Sequence, residues 1–246
     1  MEPEEYANLF QVELRHWWYV GMRGISLALL DTYLPKKQNL DVLDGGCGTG
    51  GMMLALTRYG RVTGIDFSPL AVGYSRQRGL DRVIRASVTH LPFPNERFDL
   101  VTSFEVLYHL DVSDDGQAIQ EFARVLRPNG HMLLRLPAFE SMRGAHDVAV
   151  HTRHRYTTDE VQRKVESAGM RVVRLSYGNT LLFPLAAVTR LLQRLTGRDH
   201  EATSDVQETS ALANKVLSTV LATEKHIIPR VRLPFGLSVF CLARKP

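Results

Sequence analysis

Apolar positions recur along this chain in two periods, and the change from one to the other outlines its elements. Over residues 3–34, Tyr6, Leu9, Phe10, Leu14, Trp17 and Trp18 stand three and four apart, which predicts a helix with one apolar face, closed by Pro35. Residues 40–44 are a short apolar run that predicts a buried strand, and Met52, Met53, Leu54, Ala55 and Leu56 suit a helix lying on a sheet. Between the two stands the cluster Gly45-Gly46-Cys47-Gly48-Thr49-Gly50-Gly51. Residues 62–66 predict a second strand, and Ser68-Pro69, a cap followed by a first-turn proline, opens a helix to about Arg78. Further strands are predicted at 83–86, 98–103 and 131–136, with a helix over 117–126 stopped by Pro128-Asn129-Gly130. Glu105-Val106-Leu107-Tyr108-His109 reads as a helix-like stretch. Strands alternating with helices at this spacing imply an α/β, doubly wound parallel sheet covered on both faces.

The last third changes rhythm. A helix over 158–168 ends at Gly169, a sixth strand spans 170–177, and the last strand, 237–243, arrives only after about sixty residues. Two stripes at helical spacing fill that interval: Leu181, Leu185, Val188, Leu192 and Leu195, then Leu212, Val216 and Val220. Residues 196–210 between them are polar and read as a mobile loop. The expected organisation is a single domain over 1–246, with a helical cap at 1–38, a cofactor-binding core at 39–178, a helical lid at 179–235 and the last strand at 236–246.

Composition narrows the class. Hydrophobic residues make up 44% of 246 and charged residues 23%, enough for a real core, so global disorder and a disulfide scaffold are excluded. Thirty Lys and Arg against 26 Asp and Glu give +4 with no basic cluster, so no nucleic-acid partner is expected. Two distant cysteines, an acidic N-terminus and no apolar run near ~20 residues lead to the expectation of a reduced, cytoplasmic protein. Peripheral membrane contact through 179–221 stays open as the less favoured reading, with a monomer or homodimer as the assembly.

A strand, a glycine-rich turn and a helix form a cradle in which backbone N–H groups face a ligand. Asp66, at the end of the next strand, is placed to accept both hydroxyls of a ribose. NAD and S-adenosylmethionine both fit so far, but Asp44 directly before the glycines would repel a pyrophosphate and stabilise a sulfonium and an ammonium.

At this point the chain resembles the class I S-adenosylmethionine-dependent methyltransferases. The resemblance rests on Val42-Leu43-Asp44-Gly45-Gly46-Cys47-Gly48-Thr49-Gly50, Gly64-Ile65-Asp66-Phe67-Ser68-Pro69, Leu91-Pro92-Phe93-Pro94 leading to Phe98-Asp99-Leu100-Val101, and Leu126-Arg127-Pro128-Asn129-Gly130. It covers residues 40–136 and implies a Rossmann-like, mostly parallel seven-stranded sheet with a final antiparallel strand, and S-adenosylmethionine as cofactor with S-adenosylhomocysteine as product. It also implies that Asp44, Gly45, Gly46, Cys47, Gly48 and Gly50 hold the methionine end, Asp66 the ribose, Phe67 one adenine face, and Ser87 and Val88 the adenine edge. Ser87 stands where the family often has Asp, which weakens that contact. Phe104 and Glu105 would line the methionine and substrate side, and Tyr19 and Arg23 would close over the cofactor carboxylate. The same helix also reads as an amphipathic cap with two core tryptophans and a solvated arginine.

For a hydroxyl acceptor the protein must align, dehydrate and remove a proton, so His109, His146, His151 and His154 are the candidate bases. Trp18, Glu105, Tyr108, Arg155 and Tyr156 are the candidate substrate contacts. No metal is expected, because Tyr108 interrupts the Glu-x-x-Glu-His pattern of metal-dependent O-methyltransferases. The apolar lid favours a small hydrophobic or glycosylated metabolite of biosynthesis, methylated most simply on oxygen. The alternatives are an NAD-linked oxidoreductase and a non-catalytic S-adenosylmethionine-binding module; nucleic-acid methylation is less favoured, since no Asn/Asp-Pro-Pro-Tyr or Pro-Cys segment occurs.

Overall fold

The fold begins with helices where the amphipathic stretch lies, and in two pieces. A computed structural model describes residues 3–34, 39–195 and 210–246, apart from the side chain of His146. Its elements in chain order are α1 (Pro3–Val12), α2 (Trp17–Tyr33), β1 (Leu40–Gly45), α3 (Gly51–Leu56), β2 (Gly60–Asp66), α4 (Pro69–Gln77), β3 (Val83–Arg85), β4 (Phe98–Phe104) and α5 (Asp115–Val125). Then follow β5 (Leu126–Pro137), α6 (Ala145–Ala149), α7 (Thr158–Ser167), β6 (Arg171–Gly178), α8 (Phe183–Leu195), α9 (Ala211–Ile227) and β7 (Ser238–Arg244).

The strands form one seven-stranded sheet in the order β3-β2-β1-β4-β5-β7-β6. β3 to β5 pair in parallel, while β7 inserts antiparallel to both β5 and β6. This is the expected doubly wound, Rossmann-like sheet. Each face buries its own apolar cluster: Phe122 of α5 and Val161 of α7 on one side, and Ile25 of α2, Met53 of α3, Val72 of α4 and Leu221 of α9 on the other. Chain order reverses direction at β1 and β4, so their C-terminal ends frame the crevice where such sheets bind ligands.

Three sequence expectations are corrected. The first helix is broken at 13–16: His16 caps α2 by accepting from the Trp18 amide at 3.4 Å, and Arg23 donates to the carbonyls of Glu13 and Leu14 that the break leaves open. Residues 105–109 are a turn, because His109 bridges to Thr152 and the Arg153 amide donates to the Tyr108 carbonyl at 2.7 Å. β5 starts at Leu126, earlier than residue 131, because Phe98 pairs with Leu126. Pro35 and the polar loop 196–209 lie outside the described residues.

The lid helices are fixed at different points. α9 lies against α2, so closely that a Cβ at Gly21 would stand 2.5 Å from Leu221. α8 is held at its approach: the buried Glu224 carboxylate of α9 accepts the amides of Asn179, Thr180 and Leu181 at 2.7, 2.7 and 2.9 Å. Removing it leaves buried donors without partners, so Glu224→Ala is expected to cost about 3 kcal/mol in urea unfolding. Limited proteolysis of the variant should cut first near residues 179–195.

Candidate active site

The glycine loop is built for close approach. A Cβ on Gly46 (φ +80°) would stand 2.2 Å from Val106, and Gly50, capping α3 at φ +88°, would put one 2.5 Å from Leu80. Five of its amides, those of Gly46, Cys47, Gly48, Gly50 and Gly51, are bonded within the protein. Gly46 N and Cys47 N both donate to the Ile65 carbonyl at 2.8 Å, Gly50 N donates to Cys47, and Gly48 N donates to Asp66 Oδ2 at 2.9 Å. The amide of Gly51 at the start of α3 donates to Glu13 Oε1 at 3.1 Å, and Thr49 Oγ1 donates to the same carboxylate. At those five positions the expectation of ligand-facing N–H groups is corrected. The loop presents glycine backbone and carboxylates.

Glu13 is the residue that sequence reasoning missed. It is buried at the break between α1 and α2, and Arg78 at the end of α4 meets it at 2.9 Å. Arg78 also donates to the Thr49 and Phe10 carbonyls and lies over the Phe10 ring. An acidic residue between apolar Val12 and Leu14 was its only trace in the sequence.

Asp44 and Asp66 complete the acidic wall. Asp44 is fully buried, and Thr102 Oγ1 donates to its Oδ1 at 2.7 Å. Burial pushes its carboxyl up to about 7, reinforced by Asp66 and Glu13 and opposed by Thr102 and Arg135. Burial also raises Asp66, against the amides of Ser68 and Gly48 that donate to its two oxygens at 2.9 Å each.

At the end of β5, Arg135 donates to Glu105 Oε1 at 3.0 Å and lies between the rings of Phe104 (4.9 Å) and Trp18 (5.3 Å). Glu105 adopts φ +57°, a strained position for a non-glycine residue, and burial raises its carboxyl against the pull of Arg135. Arg155 pairs with the buried Asp147 at 2.8 Å; burial would raise Asp147, but Arg155 and the Gly144 amide hold it below the usual carboxylate range. Arg135 carries no signal in the sequence, and Asp147, which beside His146, His151 and His154 offers a possible metal ligand there, is instead paired with Arg155.

These groups surround one cavity of about 820 Å³, toward the upper end of the ~300–1,000 Å³ usual for small-molecule sites. Of the residues predicted to hold the cofactor, Tyr19, Arg23, Asp44, Gly46, Cys47, Gly48, Asp66, Phe67, Ser87, Val88 and Phe104 line it. Gly45 and Gly50 do not; Gly45 is backed by the Phe122 ring, 2.8 Å from where its Cβ would be. Ser87 Oγ accepts from the Thr89 amide at 3.2 Å. Trp18, Glu105, Tyr108 and Arg155 line the cavity, whereas Tyr156 is core: it is fully buried and donates to Asp115 Oδ2 at 2.6 Å.

The histidines separate. His109 lines the cavity, with Nδ1 3.2 Å from Asp111 Oδ2 and its ring stacked on His151 at 5.8 Å. Burial lowers its pKa below the ordinary histidine value. His151 does not line the cavity, and His154 is turned to Glu160 at 2.8 Å and packs edge-on against Tyr156. His146 lies on α6, and its side chain is outside the described residues. Among the described residues, no group of three His, Cys, Asp or Glu side chains is placed to hold a metal ion.

Residues 43–134 match the family profile of a methyltransferase domain. The chain is 31% identical over 163 residues to a protein of Mycobacterium tuberculosis named a probable S-adenosylmethionine-dependent methyltransferase, covering 64% of this chain and 57% of that one. It is 34% identical over 130 residues to the demethylmenaquinone methyltransferase of Lactiplantibacillus plantarum, covering 48% and 50%. The chain thus spans about half the length of the curated relatives it matches. An S-adenosylmethionine-dependent methyltransferase structure from Mesorhizobium loti shares the fold, with a TM-score of 0.59 at 19% identity over 89% of this chain and 96% of that one. Sheet order and glycine loop are those of the Rossmann-like methyltransferase fold, and the sequence match to a methyltransferase domain falls on residues 43–134. The likeness is to S-adenosylmethionine-dependent methyltransferases.

The raised Asp44 generates a prediction about the protein alone. Unfolded, Asp44 titrates near 3.8; folded, it does so at about 7. Between those values the native state holds a proton that the unfolded state has lost, so stability falls as pH rises across the interval. Urea unfolding at both ends should show wild type losing stability relative to Asp44→Asn as pH rises. A difference that does not change with pH would contradict the shift.

Proposed function

We propose that the protein transfers a methyl group from S-adenosylmethionine to a small, hydrophobic or glycosylated acceptor, most simply at oxygen, with His109 as the general base. The observation that carries the reading is the acidic wall of Asp44, Asp66 and Glu13 beside a glycine loop in which five amides are already bonded. A pyrophosphate needs free N–H groups and a positive helix end, and Glu13 fills the end of α3. A cationic sulfonium and ammonium are stabilised by the same carboxylates, which favours S-adenosylmethionine over NAD.

When bound, S-adenosylmethionine supplies an electrophilic methyl group on a positively charged sulfur. Each oxygen of Asp66 keeps a lone pair beyond its backbone contact and would accept from the ribose hydroxyls. Phe67 would cover the adenine, and the glycine loop with Asp44 would hold the methionine end. Tyr19 and Arg23 would close that end from the cap. Trp18, Tyr108 and the apolar lid residues keep water from the acceptor. His109 Nδ1 accepts from the Asp111 amide at 3.2 Å. Its lone pair would take the acceptor proton once that contact opens, with the Asp111 carboxylate beside Nδ1 steadying the imidazolium. A low histidine pKa keeps the base form available at neutral pH, so turnover should fall only when pH drops below the histidine range. The relative named for demethylmenaquinone supports an apolar acceptor, as does the lining by Leu182, Leu185, Leu217 and Leu237.

Calorimetric titration with S-adenosylhomocysteine and with NAD tests the cofactor assignment. S-adenosylhomocysteine is expected to bind and NAD not, and Asp66→Ala should weaken the former at least about tenfold by removing two hydrogen bonds. NAD binding without S-adenosylhomocysteine binding would overturn the reading. For the base, His109→Gln should lower kcat by about a hundredfold or more with cofactor affinity unchanged, while His154→Ala keeps wild-type turnover. The acceptor for that assay comes from metabolite extract incubated with labelled cofactor, and no labelled product would leave a binding module.

A further inference from the structure

The lid carries apolar surface that the core does not use. Of eighteen large apolar side chains exposed among the described residues, five fall within the thirteen residues of α8: Leu185, Val188, Leu191, Leu192 and Leu195. No residue of α8 is buried. The helix is apolar on two sides. Leu182 just before the helix and Leu185, Ala186 and Thr189 within it line the cavity. Val188, beside Leu185 at i+3, leads round to Leu191 and Leu195, which turn away from the cavity, with Leu195 74% exposed. The exposed stripe of α9 adds Leu212, also 74% exposed, and Val216. An apolar surface of this kind on a water-soluble domain marks a contact.

The charges say with what. α8 contains no acidic residue, and the single one in α9, Glu224, is buried on backbone amides. Arg194 and Lys215 are exposed on the two helices, and Arg230 and Arg232 are exposed just beyond α9. Arg194 next to Leu195 and Lys215 next to Val216, with no exposed carboxylate on either helix, match an interface helix lying in the headgroup layer of an anionic bilayer. No described helix is long and apolar enough to cross a membrane, so the contact is with the surface.

We propose that the outward face of α8, with the N-terminal part of α9, docks on an anionic lipid surface. Leu185 is 64% exposed and also lines the cavity, so the docked face is continuous with the cavity mouth. An acceptor dissolved in the bilayer would enter there without crossing water, a consequence that rests on the methyltransferase reading; the docking itself does not.

Co-sedimentation of the full chain tests it, with vesicles of phosphatidylcholine alone and of equimolar phosphatidylcholine and phosphatidylglycerol. The chain is expected to pellet with the anionic vesicles and to be released by salt at about 0.5 M. The double variant Leu191→Glu, Leu195→Glu, changed only at exposed positions, should lower that partition at least tenfold while its thermal unfolding and S-adenosylhomocysteine affinity stay at wild type. Absence of pelleting, or equal pelleting by the variant, overturns the proposal. So does a dimer in size-exclusion light scattering that the variant splits, which would make the face a contact between copies. Because cofactor affinity is read in the same variant, failure of docking and failure of the methyltransferase reading are distinguishable.

Discussion

The ion pair between Glu13 and Arg78 holds the site together. Both side chains are almost withdrawn from water, at 11% and 8% exposed, and removing one partner of such a pair typically costs about 3–5 kcal/mol because the other charge is stranded. The carboxylate binds the start of α3, and the guanidinium binds the loop and the end of α1, so cap, loop and α4 are fixed to one another. From the cap the constraint passes along α2 to α9, through Trp17 N donating to Asn214 at 2.7 Å and through Gly21 against Leu221. Glu224 carries it from α9 to residues 179–181 and the start of α8. One roof of the cavity is thus anchored on the loop that forms its floor.

That anchoring shapes the electrostatics. Glu13 uses the helix end that another glycine-loop protein would offer to phosphate, and it brings a third carboxylate near Asp44 and Asp66. The cost is visible in Asp44, whose pKa is pushed up to about 7, and a bound cation would relieve it. Across the cavity Arg135 is paired with Glu105 and covered by Trp18 and Phe104, and its charge offsets only part of the rise at Asp44. Glu105 and Asn179, both lining the cavity, hold positive φ values of 57° and 56°, strain of the sort that collects at functional sites.

The sheet was legible in the sequence because strands buried on both faces read as apolar runs, and glycine or proline marks where they end. The motif residues followed, since Asp44, Asp66 and Phe67 are fixed by position relative to those ends. What local patterning could not show was tertiary. The break at 13–16 follows from the bonds of Glu13 to the loop, not from a helix stop signal, and the turn at 105–109 is imposed by pairing with residues 151–153. The loop amides looked free because nothing in the sequence says that Ile65 and Glu13 take them. Tyr156 looked like a substrate contact by its neighbours, yet its hydroxyl belongs to Asp115 in the core.

Hydrogen exchange, read by mass spectrometry with and without S-adenosylhomocysteine, tests most directly whether this cavity is a cofactor site closed by the Glu13 clasp. In wild type the ligand should slow exchange over residues 6–19 and 44–51 together. In Glu13→Ala the protection of 6–19 should be lost while the exchange of the sheet stays unchanged. A ligand that leaves 44–51 untouched in wild type, or that protects 6–19 equally in the variant, would contradict the account.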